Sequence, residues 1–480
     1  MTVTRFAPSP TGYMHIGNLR TALYSYLIAK HDGGRFILRI EDTDRERFVE
    51  GATDIIKSTL RTTGLLWDEG PDVGGEHGPY VQSERKEIYL EYAKKLVDLG
   101  SAYYCFCSKE RLEKLHEEDA LGGYDRHCRD LSPEEVKRNL EVGMPYVIRQ
   151  KMPLTGVTSY VDSVFGEISV NNEELQDQIL IKADGYPTYN FCHVIDDHLM
   201  GVTHVVRGSE YLTSTPKYVL LYDAFGWERP CYVHLPLMMG KSADGTVSKL
   251  SKRHGAVSFS DLLADGYLPE AIINYIALLG WCPKESEREF FTLPELVAAF
   301  TIDGVSKSPA VFDYEKLLWF NGEYLHKMSD EDFAKQAKNF IHAKIPATVN
   351  REKMLALLKT RIQKFSELDE RMAFFLALPE YGKELFLNKK NKISEFETVR
   401  SVLIAAREIL AKLTTFDNDT IFAALSPLSE TLGLKTGAVM WCLRIAVSGL
   451  AATPGGATEI MEVIGRDETL SRIDSALARL

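Results

Sequence analysis

The strongest constraint on the fold lies at the start of the chain, where "VTRF" is followed by "APSPTGYMHIGN" and then at once by a helical pattern. Residues 3–6 read as a short strand. Pro8 and Pro10 fix φ and hold the next stretch extended, and Gly12 permits a sharp turn. Leu19, Ala22, Leu23, Tyr26 and Leu27 recur at helical spacing, which predicts a helix over 19–29 with one buried face. Gly33-Gly34 ends it. "RFILRIEDTD" then reads as a second strand, with Phe36, Leu38 and Ile40 on one face. Strand, loop, helix, turn and strand in this order make an α/β nucleotide-binding unit. Its helix opens just after His15. A helix N-terminus presents unpaired N–H groups and partial positive charge, so it takes phosphate. His15 can add a hydrogen bond there, and Gly17 lets a flat ring approach the backbone. Alone, a His-x-Gly turn is common and incidental.

The chain has 480 residues, too many for one core, and three to five domains are expected. The text changes character near residue 100, where "YYCFCSKERLEKLHEEDALGGYDRHC" is charged and cysteine-bearing. Residues 146–182 turn strand-like, and α/β patterning resumes with a buried strand at 203–207 and a helix that starts at Thr215-Pro216 and runs to about Phe225. An α/β domain interrupted by an insertion of about ninety residues is therefore expected. Beyond residue 325, Leu355, Leu358, Ile362 and Phe365 recur at spacings of three and four, as do Val399, Val402, Leu403 and Ala406, which predicts helices. Hydrophobic residues make up 45% and charged residues 26%, as in ordinary soluble proteins. No apolar run approaches the ~18 residues of a membrane span, and "MTVTRFAPSP" has no signal-peptide pattern. Seven scattered cysteines point to a reducing cytoplasm. A net charge of −12 argues against a DNA coater, although a local basic patch can serve a shaped RNA.

A second stretch, "GKSADGTVSKLSKRHG" (240–255), follows the buried-looking strand "YVHLPLMM". It reads as a polar, mobile loop. Its cations Lys249, Lys252 and Arg253 are placed to close over a triphosphate and neutralise charge as it develops.

Together, "PSPTGYMHIGN" and "KLSKR" resemble the two signature motifs of class I aminoacyl-tRNA synthetases, HIGH and KMSKS in the family's letters. "RIEDTDRER", "GYPTYNFCHVIDDHLMGVTHVVRG" and "LLWFNGEYL" narrow the resemblance to the glutamyl-tRNA synthetases of bacterial type. It runs over nearly the whole chain, and "LGLKTGAVMWCLRIAVSG" resembles the C-terminal anticodon-binding part. Asn18 stands where the motif's name has a second His, and Leu250 replaces Met, a volume-conserving change.

The resemblance implies a Rossmann-type parallel-sheet catalytic domain in two pieces, 1–100 and 192–250. It implies an inserted α+β acceptor-binding domain at 101–191, a stem-contact region at 251–325 and an all-α anticodon-binding region at 326–480. The implied reaction activates L-glutamate with ATP and Mg²⁺, then transfers it to the terminal adenosine of tRNA(Glu). Neither step needs a protein nucleophile. Both need alignment and charge stabilisation.

Carried over residue by residue, His15, Gly17, Asn18 and Lys252 meet ATP, with Lys249 and Arg253 as supporting cations. Arg5 faces the side-chain carboxylate of glutamate, Arg207 its α-carboxylate and Glu41 its ammonium. Ala7, Ser9, Tyr189, His193 and Glu210 match positions that line the site; at His193 the family more often has Asn. Cys105, Cys107, Tyr124 and Cys128 match a structural zinc site, with His127 and Asp130 as rival fourth ligands. The other four cysteines read as packing residues. Arg361, Lys435 and Arg444 are candidate tRNA contacts. A cytoplasmic monomer without DNA or membrane partners is expected. A form that also charges tRNA(Gln) is the nearest alternative. A small-molecule nucleotidyltransferase would need neither the insertion nor the helical tail, and an inactive RNA-binding paralogue would not need His15, Lys252, Arg5 and Glu41 together.

Overall fold

The structure is a computed structural model that describes residues 1–44, 47, 49–118, 123–242, 244–251, 255, 258–284 and 287–480. These form two units. One comprises Met1–Leu263 and Ile272–Asp313; the other comprises Ala264–Ala271 and Tyr314–Leu480.

The first unit begins with the expected strand, helix and strand, but the helix is buried on nearly all sides rather than on one face: Arg20, Tyr24, Ser25, Ile28 and Ala29 are buried as well, while Tyr26 is half-buried. Strand β1 (Val3–Phe6), helix α1 (Ile16–His31) and strand β2 (Arg35–Leu38) are joined so that the two strands pair in parallel, with Arg5 opposite Ile37. The backbone continues this pairing past the strand ends. The Arg39 N–H donates to the Phe6 carbonyl and the Glu41 N–H to the Pro8 carbonyl. That is what brings Glu41 beside the proline-stiffened turn. Phe36, Ile37 and Leu38 are all fully buried, so β2 is covered on both faces rather than on one. A parallel strand between helices has no solvent face, and the alternation expected at 36, 38 and 40 is absent for that reason.

Helices α2 (Ala52–Thr62) and α3 (Lys86–Asp98) precede strand β3 (Ala102–Cys105), and helices α4 (Lys109–Glu118) and α5 (Pro133–Glu141) follow it. Strands β4 (Val147–Gln150), β5 (Val157–Asp162), β6 (Gly166–Asn171) and β7 (Ile179–Ile181) occupy the stretch read as strand-like. β3, β4 and β7 make an antiparallel sheet, and Tyr89 of α3, Ile148, Leu180, Phe191 and Tyr218 share one core with it.

Helix α6 (Tyr189–Leu199) leads into β8 (His204–Gly208), α7 (Thr215–Phe225) and β9 (Cys231–Leu235). β8 and β9 are parallel, with Arg207 opposite His234. The Thr203 N–H donates to the Val3 carbonyl at 2.9 Å and ties the lead-in of β8 to β1. On the other side of β9, Asp162 at the end of β5 is its parallel partner at Tyr232, and β6 closes the edge. The β5–β6 hairpin is thus a ladder extension of the β8–β9 sheet, which leaves β9 no exposed edge.

β10 (Met238–Lys241) and β11 (Val247–Lys249) form an antiparallel hairpin, and β12 (Ala310–Phe312) pairs in parallel with β10. The first half of the expected loop 240–255 is therefore a strand–turn–strand. Its turn carries Gly245 at φ +84, and the Asp244 carboxylate accepts the Thr246 N–H. An Asp-Gly turn between short strands is a hairpin signal, and its polar composition concealed it.

The second unit is helical, and the periodic residues meet there. Leu355, Leu358, Ile362, Phe365, Val399, Val402, Leu403 and Ala406 lie in one buried cluster. Arg472, also buried, donates to the Phe374, Phe375 and Val447 carbonyls. These belong to the last turns of helices Leu368–Leu376 and Thr436–Ser448, so one guanidinium pairs carbonyls that helix ends leave orphaned. No described helix is long and apolar enough to cross a membrane.

Candidate active site

A cleft of about 570 Å³ opens in the first unit at the ends of β1, β8 and β9. Its floor comes from β1 and the turn after it: Arg5, Ala7 and Ser9, with Glu41 alongside. The mouth of α1 contributes His15, Gly17 and Asn18. Tyr189 opens α6, Arg207 ends β8, and Glu210 and Lys249 stand at the rim. The fold thus brings together residues scattered over nearly 250 positions of sequence. Arg47, Tyr211 and Met238 also line it without having been singled out. Lys252 and Arg253 lie outside the described residues.

His15 caps α1. Its Nδ1 accepts the Gly17 N–H at 3.0 Å. Burial, and then the nearby Lys249, lower its pKa. A neutral ring with an accepting Nδ1 carries its proton on Nε2, which makes Nε2 a donor. A Cβ on residue 17 would stand 3.3 Å from His15 Nδ1 and 3.9 Å from Met238 Sδ, so the glycine leaves the ring its position. Gly12, at φ +132, makes the turn that precedes it.

Behind the floor lies a buried charge network that the sequence reading missed. Arg5 Nε donates to Asp197 Oδ1 at 2.9 Å and Nη1 to the Val206 carbonyl at 3.3 Å. Arg39 bridges Asp197 (2.8 Å) and Glu41 (2.9 Å). Asp196 accepts from Arg85 (2.7 Å), Gln82 (2.9 Å) and Tyr89 (2.9 Å). Arg5, Arg39 and Arg85 oppose Glu41, Asp196 and Asp197. Pairing of each member offsets the cost of burying such a set. Burial raises the Glu41 pKa while Arg39 opposes the shift. Asp197 is buried too, but Arg5 and Arg39 hold its carboxyl well below the usual range. The signal was present: Arg39 interrupts an apolar strand, and the acids of "VIDDHL" fall on a buried helix.

Arg207 is different. It is 5% exposed, and its Nε and Nη1 have no hydrogen-bond partner among the described residues. Its guanidinium lies 5.1 Å from the Tyr211 ring and 5.2 Å from the Tyr218 ring. Nη2 reaches His193 Nδ1 at 3.4 Å. His193 does not line the cleft. It sits behind Arg207, 3.8 Å from Asp197, and burial followed by Arg207 pushes its pKa down to about 3. It is neutral and faces the cation rather than the cavity. A buried cation with unpaired donors facing a cleft is arranged for an anion.

Away from this cleft, the sulfurs of Cys105, Cys107 and Cys128 lie within 4.8 Å of one another. The Tyr124 hydroxyl stands 3.2 Å from Cys105 and 3.6 Å from Cys107. Burial and the neighbouring sulfurs push the Cys107 thiol up to about 12, a cost that a divalent cation would reverse. Three thiols this close together are compatible with zinc, with the Tyr124 hydroxyl beside two of them. His127 and Asp130 are exposed and do not join the cluster. Of the other cysteines, Cys192 and Cys442 are buried, Cys231 is half-buried and Cys282 is exposed, so Cys282 is not a packing residue.

In the helical unit, Arg361 is exposed and holds the Pro454 carbonyl at 3.0 Å. Lys435 is exposed at the start of helix Thr436–Ser448, and Arg444 is half-buried about two and a half turns further along it. The two cations on that helix do not form one patch.

The family model "tRNA synthetases class I (E and Q), catalytic domain" matches residues 1–319, and "Anticodon binding domain" matches 332–477. A parallel α/β unit whose first helix is capped by the histidine of a His-x-Gly motif, joined to an anticodon-binding domain, defines a class I aminoacyl-tRNA synthetase. Glutamate–tRNA ligases of Clostridium kluyveri and Clostridium tetani are each 54% identical over 99% of this chain and cover 98% and 97% of their own length. A crystal structure of a glutamate tRNA ligase from Elizabethkingia meningosepticum, in complex with its amino acid, matches all of this chain and 99% of its own with a TM-score of 0.91 at 38% identity. The chain belongs to the glutamate–tRNA ligases.

Proposed function

We propose that the cleft activates L-glutamate with ATP and Mg²⁺, and that Arg207, whose Nε and Nη1 have no hydrogen-bond partner among the described residues, is what draws the substrate in. Glutamate is an anion at both ends with an ammonium between, so it needs two cations and one anion. Arg207 takes the α-carboxylate, Arg5 the side-chain carboxylate and Glu41 the ammonium. Ser9 and Tyr189 add neutral hydrogen bonds, while Ala7 and Glu210 complete the wall. His193 orients Arg207 from behind.

The nucleotide phosphates lie at the mouth of α1. His15 Nε2 donates to them, Gly17 and Asn18 border them, and Lys249 supplies charge from the rim; Lys252 contacts ATP and Arg253 is a supporting cation. One oxygen of glutamate's α-carboxylate forms a bond to the α-phosphorus of ATP. The bond to the bridging oxygen breaks, and pyrophosphate leaves with the electron pair. The 2′-hydroxyl of the tRNA's terminal adenosine then attacks the acyl carbon, and AMP leaves. The residues align and neutralise; none forms a covalent bond.

The partner is tRNA(Glu), its acceptor end on the 101–191 insertion, its stem on 251–325 and its anticodon on 326–480, where Arg361, Lys435 and Arg444 are candidate contacts. Cys105, Cys107, Tyr124 and Cys128 hold a structural zinc. The enzyme works as a monomer in the cytoplasm, a compartment consistent with seven free cysteines.

Arg207→Gln removes the charge and leaves a shorter, neutral polar side chain. It raises the KM for glutamate by about two orders of magnitude, the range for breaking a charge-assisted bidentate pair, and changes the KM for ATP little. An unchanged glutamate KM overturns the reading of the cleft.

A further inference from the structure

Beside the cleft, Asp162, His234 and Thr215 are connected in the order of a hydrolytic triad. His234 Nδ1 is 2.6 Å from Asp162 Oδ2, and His234 Nε2 is 3.3 Å from Thr215 Oγ1. All three are at most 1% exposed, so the threonine hydroxyl reaches no substrate and a nucleophilic role is excluded. The mechanism uses none of them, yet they are costly to bury and almost fully satisfied. Asp162 Oδ1 accepts the Val164 and Phe165 N–H groups at 2.9 and 2.8 Å, and Oδ2 also accepts the His234 N–H at 3.1 Å. The carboxylate is thus locked, and it fixes the imidazole.

The far end of this chain of bonds is the informative one. Burial lowers the His234 pKa, so its ring holds one proton, on Nδ1 toward Asp162. Thr215 opens α7, and its single hydroxyl proton is shared between the Tyr211 carbonyl at 2.8 Å and His234 Nε2 at 3.3 Å. Tyr160, two residues before Asp162, donates to the Leu212 carbonyl at 3.0 Å. The turn so held, 209–214, presents Glu210 and Tyr211 to the cleft, and the Tyr211 ring lies 5.1 Å from the Arg207 guanidinium. His234 is also the cross-strand partner of Arg207 and precedes Pro236, Leu237 and Met238 of the cleft wall.

We propose that His234, with Asp162 and Thr215, is a positioning residue for glutamate binding: it pins the 209–214 turn to β9 so that Tyr211 holds the Arg207 guanidinium toward the cleft. The inference rests on the assignment of Arg207 to the substrate carboxylate. It does not involve the nucleotide side, so its signature is selective. Thr215→Val keeps the shape and removes the hydroxyl; Thr215→Ser keeps the hydroxyl and removes a methyl. Steady-state aminoacylation of tRNA(Glu), well below the melting temperature of every variant, is compared with that of the wild type.

The expected result is a glutamate KM raised at least fivefold in Thr215→Val, with kcat and the ATP KM within twofold. Thr215→Ser should stay within twofold throughout. If Thr215→Val leaves the glutamate KM unchanged while Arg207→Gln raises it, the relay is overturned and the cleft assignment stands. If Arg207→Gln also leaves it unchanged, the assignment fails and the relay with it. Equal losses of kcat in Thr215→Val and Thr215→Ser, tracking a lower melting temperature, would mean a purely structural role and equally overturn the proposal.

Discussion

Gly17 separates the demands of stability from those of chemistry. It is the second residue of α1, where alanine is the better helix former by up to about 1 kcal/mol. Yet a Cβ there would press on His15 Nδ1 from 3.3 Å. Gly17→Ala is therefore expected to keep or raise the melting temperature while lowering kcat by about 10- to 100-fold, the cost of a misplaced catalytic contact. A differential scanning run and a single-turnover activation assay check both halves. His193 gives a pH signature. Its folded pKa, about 3, lies below the ordinary 6.5, so between those values the unfolded chain holds a proton that the folded one does not. Stability from this group is then complete above pH 6.5 and falls as pH drops, by up to about 1.4 kcal/mol per unit. His193→Asn removes the titration, so its urea midpoint should fall less than the wild type's between pH 7 and pH 5. At this scale, His15, Glu41 and Arg207 could be placed at the cleft because they stand in the motifs that carry the family resemblance. Arg39, Asp196 and Asp197 were not, because a charge in an apolar run reads as a solvated side chain until the fold brings its partner from 158 residues away.

The elements were legible where one rule governed them. The helices of the second unit follow hydrophobic periodicity, whereas α1 and α7 were marked by the turn glycines and proline at their ends, α1 being buried on nearly all sides. β2 broke its alternation because it is buried on both faces, and the β10–β11 hairpin was hidden by its polar turn. The β5–β6 hairpin lies within the sequence of the insertion but pairs with β9, since adjacency in a sheet is set by exposed ladder edges, which local text does not carry. The β3–β4 pair carries the metal prediction. Cys105 ends β3, and Arg149 of β4 lies with its guanidinium 3.9 Å from the centroid of the Tyr124 ring. Cys107→Ser should reduce zinc from one ion per chain to less than a tenth by elemental analysis. Aminoacylation should then fall more than adenylate formation, because the cluster does not line the cleft. Active, tag-free wild-type enzyme without zinc would contradict this.

For the whole molecule, the account requires that one cleft choose the amino acid, whatever the helical unit contributes to the choice of tRNA. Arg5 is the proposed discriminating group. Glutamate and glutamine differ by an anionic oxygen against an amide nitrogen, and a guanidinium has only donors to offer. It pairs with the acid and meets donors with donors in the amide. Charge-assisted bonds are about twice as strong as neutral ones. The most direct test compares kcat/KM for glutamate and for glutamine on tRNA(Glu), in wild type and in Arg5→Gln. The account predicts a steep loss of glutamate activity and a narrowed glutamate-to-glutamine ratio. A variant that retains the wild-type ratio would contradict it.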